Sequence, residues 1–369
     1  MKSFTILHTE TLKEWGGQQN RILTEAIGLS KRGYKVIVAC HRNSMLAQRL
    51  KEKGITVYEL NMVKQAYMMT IPKLMNIIKK EEVDIVSTHS SVDSWAGSIA
   101  AKLTGRRLIR FRHNLYPIGR DPLTRLIYSL PDKIIAISDS VKDILIRCGL
   151  KSEKIKVIHS SVNTDIFNPH VKDLRKELNI PSEMIIIGNT STFTQVKGLK
   201  FLLQAFNAIY KKFPCVLLFA GGLIEPYRTR YLSHIEKELR DKVILLGHRQ
   251  DIPRVLKTVN IFVYPSMLEG LGTALLEAMA MEKPVVVSDI PTFRNFITDR
   301  VNGIFFKSKD PEDLSEKVIS LFQNEELQIQ LGSNARATVI ERFSLDTMLD
   351  RTEAVYKEIM HVKWGKFIL

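Results

Sequence analysis

The stretch Met267–Asp289, MLEGLGTALLEAMAMEKPVVVSD, holds two carboxylates, Glu269 and Glu277, with seven residues between them. It follows a strand-like run, NIFVYPS, and its loop MLEGLG leads into a helical pattern. The spacing predicts a helix opening near Thr273 as its cap. Glu277 then lies four residues in, about 6 Å along the axis. Gly270 and Gly272 expose backbone N–H groups beside a positive helix end, an arrangement that attracts phosphate. Two glutamates next to a phosphate repel it, unless they grip neutral hydroxyls of a ligand whose diphosphate rests on the amides. A nucleotide sugar has that mixture of ribose, diphosphate and sugar. On these residues alone the other reading stays open, that both glutamates only stabilise the helix start.

Other polar positions also fall just after strands. Lys197 and Gly198 stand where a helix begins after IIIGNTSTFTQV, so a lysine could meet phosphate oxygens there, although the spacing is not that of a P-loop. Gly16 and Gly17 separate the first strand from the helix near Gln18, either as a phosphate approach or as a plain flexible turn. The pattern is not G-x-G-x-x-G and no acid clearly ends the second strand, which disfavours a dinucleotide cofactor. His89 and His113 each end a strand, placed to donate to a sugar hydroxyl or a phosphate or to be satisfied locally.

The run Lys102–Arg125 gathers Arg106, Arg107, Arg110, Arg112 and Arg120 with Asp121 as its only acid. Arginine suits bidentate phosphate contact. Phe111 and Tyr116 interleave the cluster, but no nucleic-acid-binding module is recognisable, so an anionic acceptor or a lipid surface fits better. Lys64–Lys80, KQAYMMTIPKLMNIIKK, reads as a packed helix with a lysine-rich solvent face or as a membrane-interface segment.

These residues need elements to hold them. β-branched runs alternate with amphipathic runs throughout: seven strands from FTILHT to KVIHS in the first half, six from EMIIIGNT to GIFF in the second. Near-continuous apolar strands between helices imply parallel sheets covered on both faces, and two such sets imply two doubly wound α/β domains. Their loops at the carboxyl ends of the strands would face each other across a ligand cleft. The expected organisation is an amino-terminal domain over 1–168, a second over 169–344, and a last helical segment over 345–369. At 369 residues the chain exceeds what one core usually serves.

Apolar content of 45% and charged content of 25% are those of a soluble globular protein, with no run of membrane-spanning length. The start MKSFTILHTE lacks a signal-peptide core, which predicts a cytoplasmic protein. Cys40, Cys148 and Cys215 are far apart, odd in number and without metal-ligand spacing, so they are expected as buried thiols. Of the net charge of +15, +12 falls in residues 1–170. That excess reads as attraction for anionic partners or as a solvated basic face.

Taken together, the motifs resemble the retaining glycosyltransferases of family 4, with the GT-B fold of two Rossmann-like domains. The resemblance rests on the E-x7-E stretch with PS before it and KPVVVSD after it, and on WGGQQNR, KRGYKVIVA, DIVSTHS, KIIAISDS, KVIHSSVNTDIFNP, KGLKFLLQAF, LLGHRQDIPRVL and NGIFF, in that order along nearly the whole chain. WGGQQNR and RFRHN are similar to members that build lipopolysaccharide core or other cell-surface glycans.

The resemblance implies roles. Glu269 and His113 would contact the donor sugar, Glu277 the ribose, and Lys197 the diphosphate. Amides of Gly270, Leu271 and Gly272 would meet sugar or phosphate, Gly16 and Gly17 would approach the phosphate, and Arg249 would lie near the base. The final helix, near Leu345–His361, would cross back onto the first domain. A UDP-, GDP- or ADP-linked sugar is the implied donor and a glycan or glycolipid the implied acceptor, with an anionic inner-membrane surface as a further partner and no nucleic acid. No Asp-x-Asp motif or resident cofactor is implied, and the expected activity is a metal-independent hexosyl transfer. The sequence departs from the family at Thr192 and Thr194, where an arginine usually precedes the Lys-Gly pair. It also departs at Ser160-Ser161, for the usual Asn-Gly, and at Pro291, Thr292 and Asn295 after VVVSD. These departures keep two alternatives open: a nucleotide-sugar-binding protein with weak or lost turnover, or a transferase with a soluble sugar-phosphate acceptor.

Overall fold

The computed structural model describes residues 4–63, 66–222 and 227–361. Lys64 and Gln65, the first residues of the segment read as a membrane-interface candidate, lie outside them. The chain forms two compact units: one runs to Ser161 and takes in the chain from Leu345 onward, and the other is Val162–Ser344.

The first unit is built on seven parallel strands: β1 Thr5–Glu10, β2 Lys35–His41, β3 Thr56–Leu60, β4 Ile85–Thr88, β5 Arg107–Arg112, β6 Lys133–Ala136 and β7 Ile155–Val157. Their order is β3-β2-β1-β4-β5-β6-β7. Between them run helices α1 Gly17–Lys31, α2 Met45–Glu52, α3 Tyr67–Lys80, α4 Ser91–Leu103, α5 Pro122–Ser129 and α6 Asp139–Arg147. Because side chains alternate across a strand, Ile6 joins the core on one face of the sheet, with Ile22 and Leu29 of α1, while Leu7 joins the opposite core, with Leu74 of α3 and Ala100 of α4.

The second unit repeats the plan with β8 Ile185–Asn189, β9 Cys215–Phe219, β10 Val243–Leu245, β11 Ile261–Tyr264, β12 Val285–Ser288 and β13 Ile304–Phe306, in the order β10-β9-β8-β11-β12-β13. Its helices are α7 Leu199–Lys212, α8 Tyr227–Leu232, α9 Ile252–Thr258, α10 Thr273–Ala280, α11 Pro291–Arg294, α12 Pro311–Phe322 and α13 Glu325–Phe343. The last helix, α14 Leu345–His361, packs in the first unit. Met348, Leu349 and Tyr356 join the α1-side core, and Gly28 of α1 leaves room for Leu349, which a Cβ there would meet at 2.5 Å. All thirteen strand runs expected from the sequence form as strands. Cys40 and Cys215 are buried, whereas Cys148 is only partly so.

In both sheets the strand order reverses direction beside the first strand, between β1 and β4 and between β8 and β11. Loops leaving the carboxyl ends of strands at such a switch point diverge and open a crevice for ligand. Gly16, Lys197, Glu269 and Gly272 lie on those loops, and His113 on the one after β5.

Candidate functional site

In the second unit the loops after β8 and β11 are joined by a hydrogen bond from the Met267 N–H to the Val196 carbonyl, 2.8 Å. Their contact depends on Gly198, which adopts φ 63° and whose missing Cβ would sit 2.0 Å from the Pro265 carbonyl oxygen. Lys197, just before it, reaches Glu269: Nζ lies 2.5 Å from Oε1. The same carboxylate oxygen accepts the Tyr264 hydroxyl at 2.9 Å, and Lys197 Nζ is 3.3 Å from that hydroxyl. Burial pulls the lysine pKa down, but Tyr264 and Glu269 outweigh it and hold the ammonium charged. The Tyr264 hydroxyl is pushed up by burial and by the Glu269 charge, so it stays a neutral donor. Oε1 is thus occupied twice, which leaves Oε2 of Glu269 as the oxygen without a hydrogen bond from this cluster.

The backbone of Glu269 is also held, its carbonyl accepting the Thr292 hydroxyl at 2.7 Å. Thr292 stands where the family usually has glycine, so this departure braces the acidic loop. Gly272 is the N-cap of α10 at φ 91°, and a Cβ there would press on Phe293 at 3.0 Å. The cap is therefore Gly272 and not the expected Thr273, which is the first helical residue. A glycine cap has no side chain to satisfy the first amides of the helix, and none does so here. The amides beside Leu271 and Gly272 remain open to an anion.

Glu277, in the second turn, is half-buried and its side chain makes no hydrogen bond among the described residues. Burial raises its pKa to about 8. Arg249, after β10, forks onto Asp251 at 2.7 and 2.6 Å, so that face of its guanidinium is already committed. It does not touch the Lys197–Glu269 pair.

In the first unit, the loop after β1 is folded around Glu10, whose Oε1 accepts the Thr11 and Leu12 N–H groups at 2.7 and 2.8 Å, with Gln18 donating to the other oxygen. Burial, then the Asp93 charge, lifts Glu10 to about 7. The loop delivers Gly16 as a cap of α1 that, like Gly272, offers no side-chain bond to the helix amides.

Next to it three histidines from β1, β4 and β5 form a chain. His8 Nδ1 lies 2.9 Å from His89 Nε2, and His89 Nδ1 lies 3.0 Å from His113 Nε2. His89 stacks on Phe111 at 4.4 Å. Burial and the nearby Arg21 charge lower His8 to about 3, and burial holds His89 and His113 well below the usual value. All three are neutral near pH 7, with one N–H each. His8 Nε2 is buried without a partner. An orphaned lone pair costs less than an orphaned N–H, so the protons sit on each Nδ1 and the chain ends with His113 Nδ1–H as an outward donor.

The arginine cluster does not form one cationic face. Arg107 and Arg110 lie on β5, a strand covered on both faces, and are 8% and 4% exposed. Arg107 reaches Asp132, and Arg110 stacks 3.7 Å over the Tyr128 ring. Arg112 donates to the Tyr128 hydroxyl at 3.1 Å, and Arg106 is half-buried. Of the five, Arg120 alone is exposed. It stands beside Arg125 and a group of exposed apolar residues on or near α5: Tyr116, Leu123 and Leu126.

Sequence reading missed Tyr264, which lies inside an apolar strand and reads as core; its one signal was a polar group five residues before Glu269. It also missed His8 and the buried Arg21–Glu25 pair, 3.4 Å apart, which only the strand order brings beside the other histidines.

Residues 15–166 match the family model described as Glycosyltransferase Family 4, and residues 170–338 match Glycosyl transferases group 1. The chain is similar to the UDP-Gal:alpha-D-GlcNAc-diphosphoundecaprenol alpha-1,3-galactosyltransferase of Escherichia coli, at 23% identity over 96% of this chain and 97% of that one. It is similar to the N,N'-diacetylbacillosaminyl-diphospho-undecaprenol alpha-1,3-N-acetylgalactosaminyltransferase of Campylobacter jejuni subsp. jejuni, at 28% identity over 80% and 84%. Among solved structures, a glycosyltransferase from Rickettsia africae ESF-5 superposes with a TM-score of 0.91 at 26% identity, covering 98% of this chain and all of that one.

Proposed function

The chain belongs to the family 4 glycosyltransferases of GT-B fold, and from that premise we propose that it moves a hexose from a nucleoside diphosphate sugar to a hydroxyl of a polyprenol-linked or other cell-surface glycan, with retention at the anomeric carbon. The observation that carries this reading is the Lys197–Glu269 contact at the open amino terminus of α10. Diphosphate oxygens would rest on the amides near Gly272 with Lys197 balancing their charge, and Glu269 Oε2 would take a donor-sugar hydroxyl. The acceptor hydroxyl attacks the anomeric carbon on the face the diphosphate leaves. The C–O bond to the diphosphate breaks, and the acceptor proton passes to a diphosphate oxygen. Fixed donors act most strongly where charge develops in the transition state, and here that charge is on the leaving diphosphate. Tyr264 and the α10 amides would carry the part that the family's missing arginine usually takes.

The direct test is acceptor-dependent release of nucleoside diphosphate from a panel of UDP-, GDP- and ADP-hexoses, with and without EDTA. Release with one donor that EDTA leaves unchanged supports the reading. No release with any donor, or donor binding with no turnover in acceptor-rich extracts, refutes it.

Glu277 makes this reading pH-sensitive. A ribose diol donates hydrogen bonds, so it binds the carboxylate and not the acid. The empty site holds Glu277 near 8 by burial, so binding at pH 7 must release a proton. Donor affinity should therefore rise from pH 6 to pH 8, close to tenfold per unit, and level off above 8. Titration calorimetry in buffers of different ionisation enthalpy checks both the slope and the proton release. Glu277→Gln should flatten the profile; an unchanged slope in that variant would remove Glu277 from the ribose site.

A lipid-linked acceptor is supported by the relatives' substrates and by the exposed patch of Tyr116, Leu123 and Leu126 beside Arg120 and Arg125. No helix among the described residues is long and apolar enough to cross a membrane. Contact through this patch would be interfacial, on the cytoplasmic face of the membrane. Binding to vesicles containing anionic lipid should weaken several-fold between low salt and 0.5 M salt, and again in the Leu123→Ser/Leu126→Ser variant. Vesicle binding indifferent to both would place the acceptor elsewhere, as with a soluble sugar phosphate.

A further inference from the structure

The second unit has a cavity at the opposite end of its sheet from Lys197 and Glu269. It has a volume of about 260 Å³ and is bounded by Arg175, Lys257, Asn260, Lys283 and Gln328. Asn260 and Pro284 immediately precede β11 and β12, so the cavity sits at the amino-terminal edge of the strands.

Its lining carries three cationic side chains, Arg175, Lys257 and Lys283, and one acid, Glu282. Lys283 Nζ donates to the Lys257 carbonyl at 3.0 Å, and the Lys257 ammonium meets no acid among the described residues. Glu282 is the carboxylate on the lining, and Arg336 lies 3.5 Å from it. Burial, then Lys257 and Arg175, holds the Lys283 ammonium down to about 8 against the smaller opposing pull of Asp173 and Glu282. The neutral donor of the site is also fixed. Asn260 Oδ1 accepts from Arg175 at 2.9 Å and from the Ile186 N–H at 2.9 Å, which turns its Nδ2 amide group away from both. Arg175 is anchored in turn on the Pro181 and Met184 carbonyls, both at 2.8 Å.

Two ammonium groups, the Arg175 guanidinium and a locked amide donor, against the one lining carboxylate of Glu282, leave an excess of positive charge arranged for an anion. The volume exceeds one phosphate, since a water takes roughly 30 Å³ of liquid. We propose that this cavity binds the phosphate group of a small phosphorylated metabolite, held by Lys257, Lys283 and Asn260. The site is separate from the donor site and does not depend on the function proposed above. Helix α10 spans the distance from one to the other: it starts at the Gly272 cap and ends just before Glu282–Pro284 of the cavity.

The test is titration calorimetry on the full chain at pH 7 and low salt, with inorganic phosphate, glucose 6-phosphate, and vesicles containing phosphatidic acid as separate arms. The expected result is binding of glucose 6-phosphate, and more weakly of phosphate, that falls at least about tenfold in Lys283→Gln and in Lys257→Gln. Saturating uridine diphosphate should leave it unchanged. Lys257→Gln alters a partly exposed side chain and guards against misfolding of the other variant. Binding equal to wild type in both variants, displacement by uridine diphosphate, no binding of either soluble phosphate, or binding confined to the vesicles would each overturn the proposal.

Discussion

Glu269→Gln is expected to lower kcat by about 1,000-fold, roughly 4 kcal/mol of transition-state stabilisation, while the fold and the affinity for donor change little. The substitution keeps the shape and lets the amide oxygen still accept from Tyr264. What it removes is the negative charge that Lys197 and Tyr264 converge on, at 2.5 and 2.9 Å. In the proposed reaction positive charge develops at the anomeric carbon as the diphosphate departs. A fixed carboxylate beside the sugar opposes that charge only in the transition state, so its loss appears in kcat and not in donor KM. Glu269 is held from both sides, by Thr292 at its backbone and by Tyr264 at its side chain, and such bracing is what a group acting on geometry requires. Steady-state kinetics with donor binding measured alongside checks the split. A variant that turns over at more than a tenth of the wild-type rate would remove Glu269 from the chemistry.

Lys197→Met should cost about 100- to 1,000-fold in kcat/KM, because with no arginine at Thr192 or Thr194 this ammonium is the charge that the β8–α7 loop offers the leaving diphosphate. It should also cost more stability than Glu269→Gln, because the carboxylate it strands is 10% exposed and the ammonium that the other variant strands is 22% exposed. Removing the lysine leaves a largely buried carboxylate facing only a tyrosine hydroxyl, and an uncompensated charge is expensive; about 1–3 kcal/mol is expected for a pair at this depth. The double variant Lys197→Met/Glu269→Gln should recover part of that stability without recovering activity, since two groups in direct contact are not additive. Thermal melts of the three variants test the order. If Lys197→Met melts with wild type, the ion pair carries no structural weight and the assigned geometry is wrong.

Most of this architecture was legible because parallel strands buried on both faces leave an apolar signature of fixed length, and each of the thirteen runs kept it. The positions just after strands were legible for the same reason. The failures share one cause, which is that sequence shows neighbours along the chain and not across the sheet. RLIRFR reads as a basic patch, yet Arg107 and Arg110 are on a strand covered on both faces and turn inward to Asp132 and Tyr128. His8, His89 and His113 are scattered in sequence, and only the adjacency of β1, β4 and β5 lines them up. Tyr264 was hidden by its own strand. Thr273 resembled a cap because threonine often is one, but the loop must turn through a left-handed backbone at Gly272 before the helix begins. The departures read as losses proved uneven. Thr292 gains a bond to the acidic loop, while Thr192 and Thr194 bring no charge to replace the missing arginine.

The central claim is sugar transfer with retained configuration by a donor clamp built from Lys197, Glu269 and the α10 amides. The most direct measurement is the anomeric proton coupling in the product formed from an α-linked nucleoside diphosphate hexose and a polyprenol-diphosphate-linked saccharide. For a gluco- or galacto-configured donor the expected result is a small coupling, that of an α-linkage, with product formation lost in Glu269→Gln. A β-linked product, or an α-linked product formed equally well by Glu269→Gln, would contradict it.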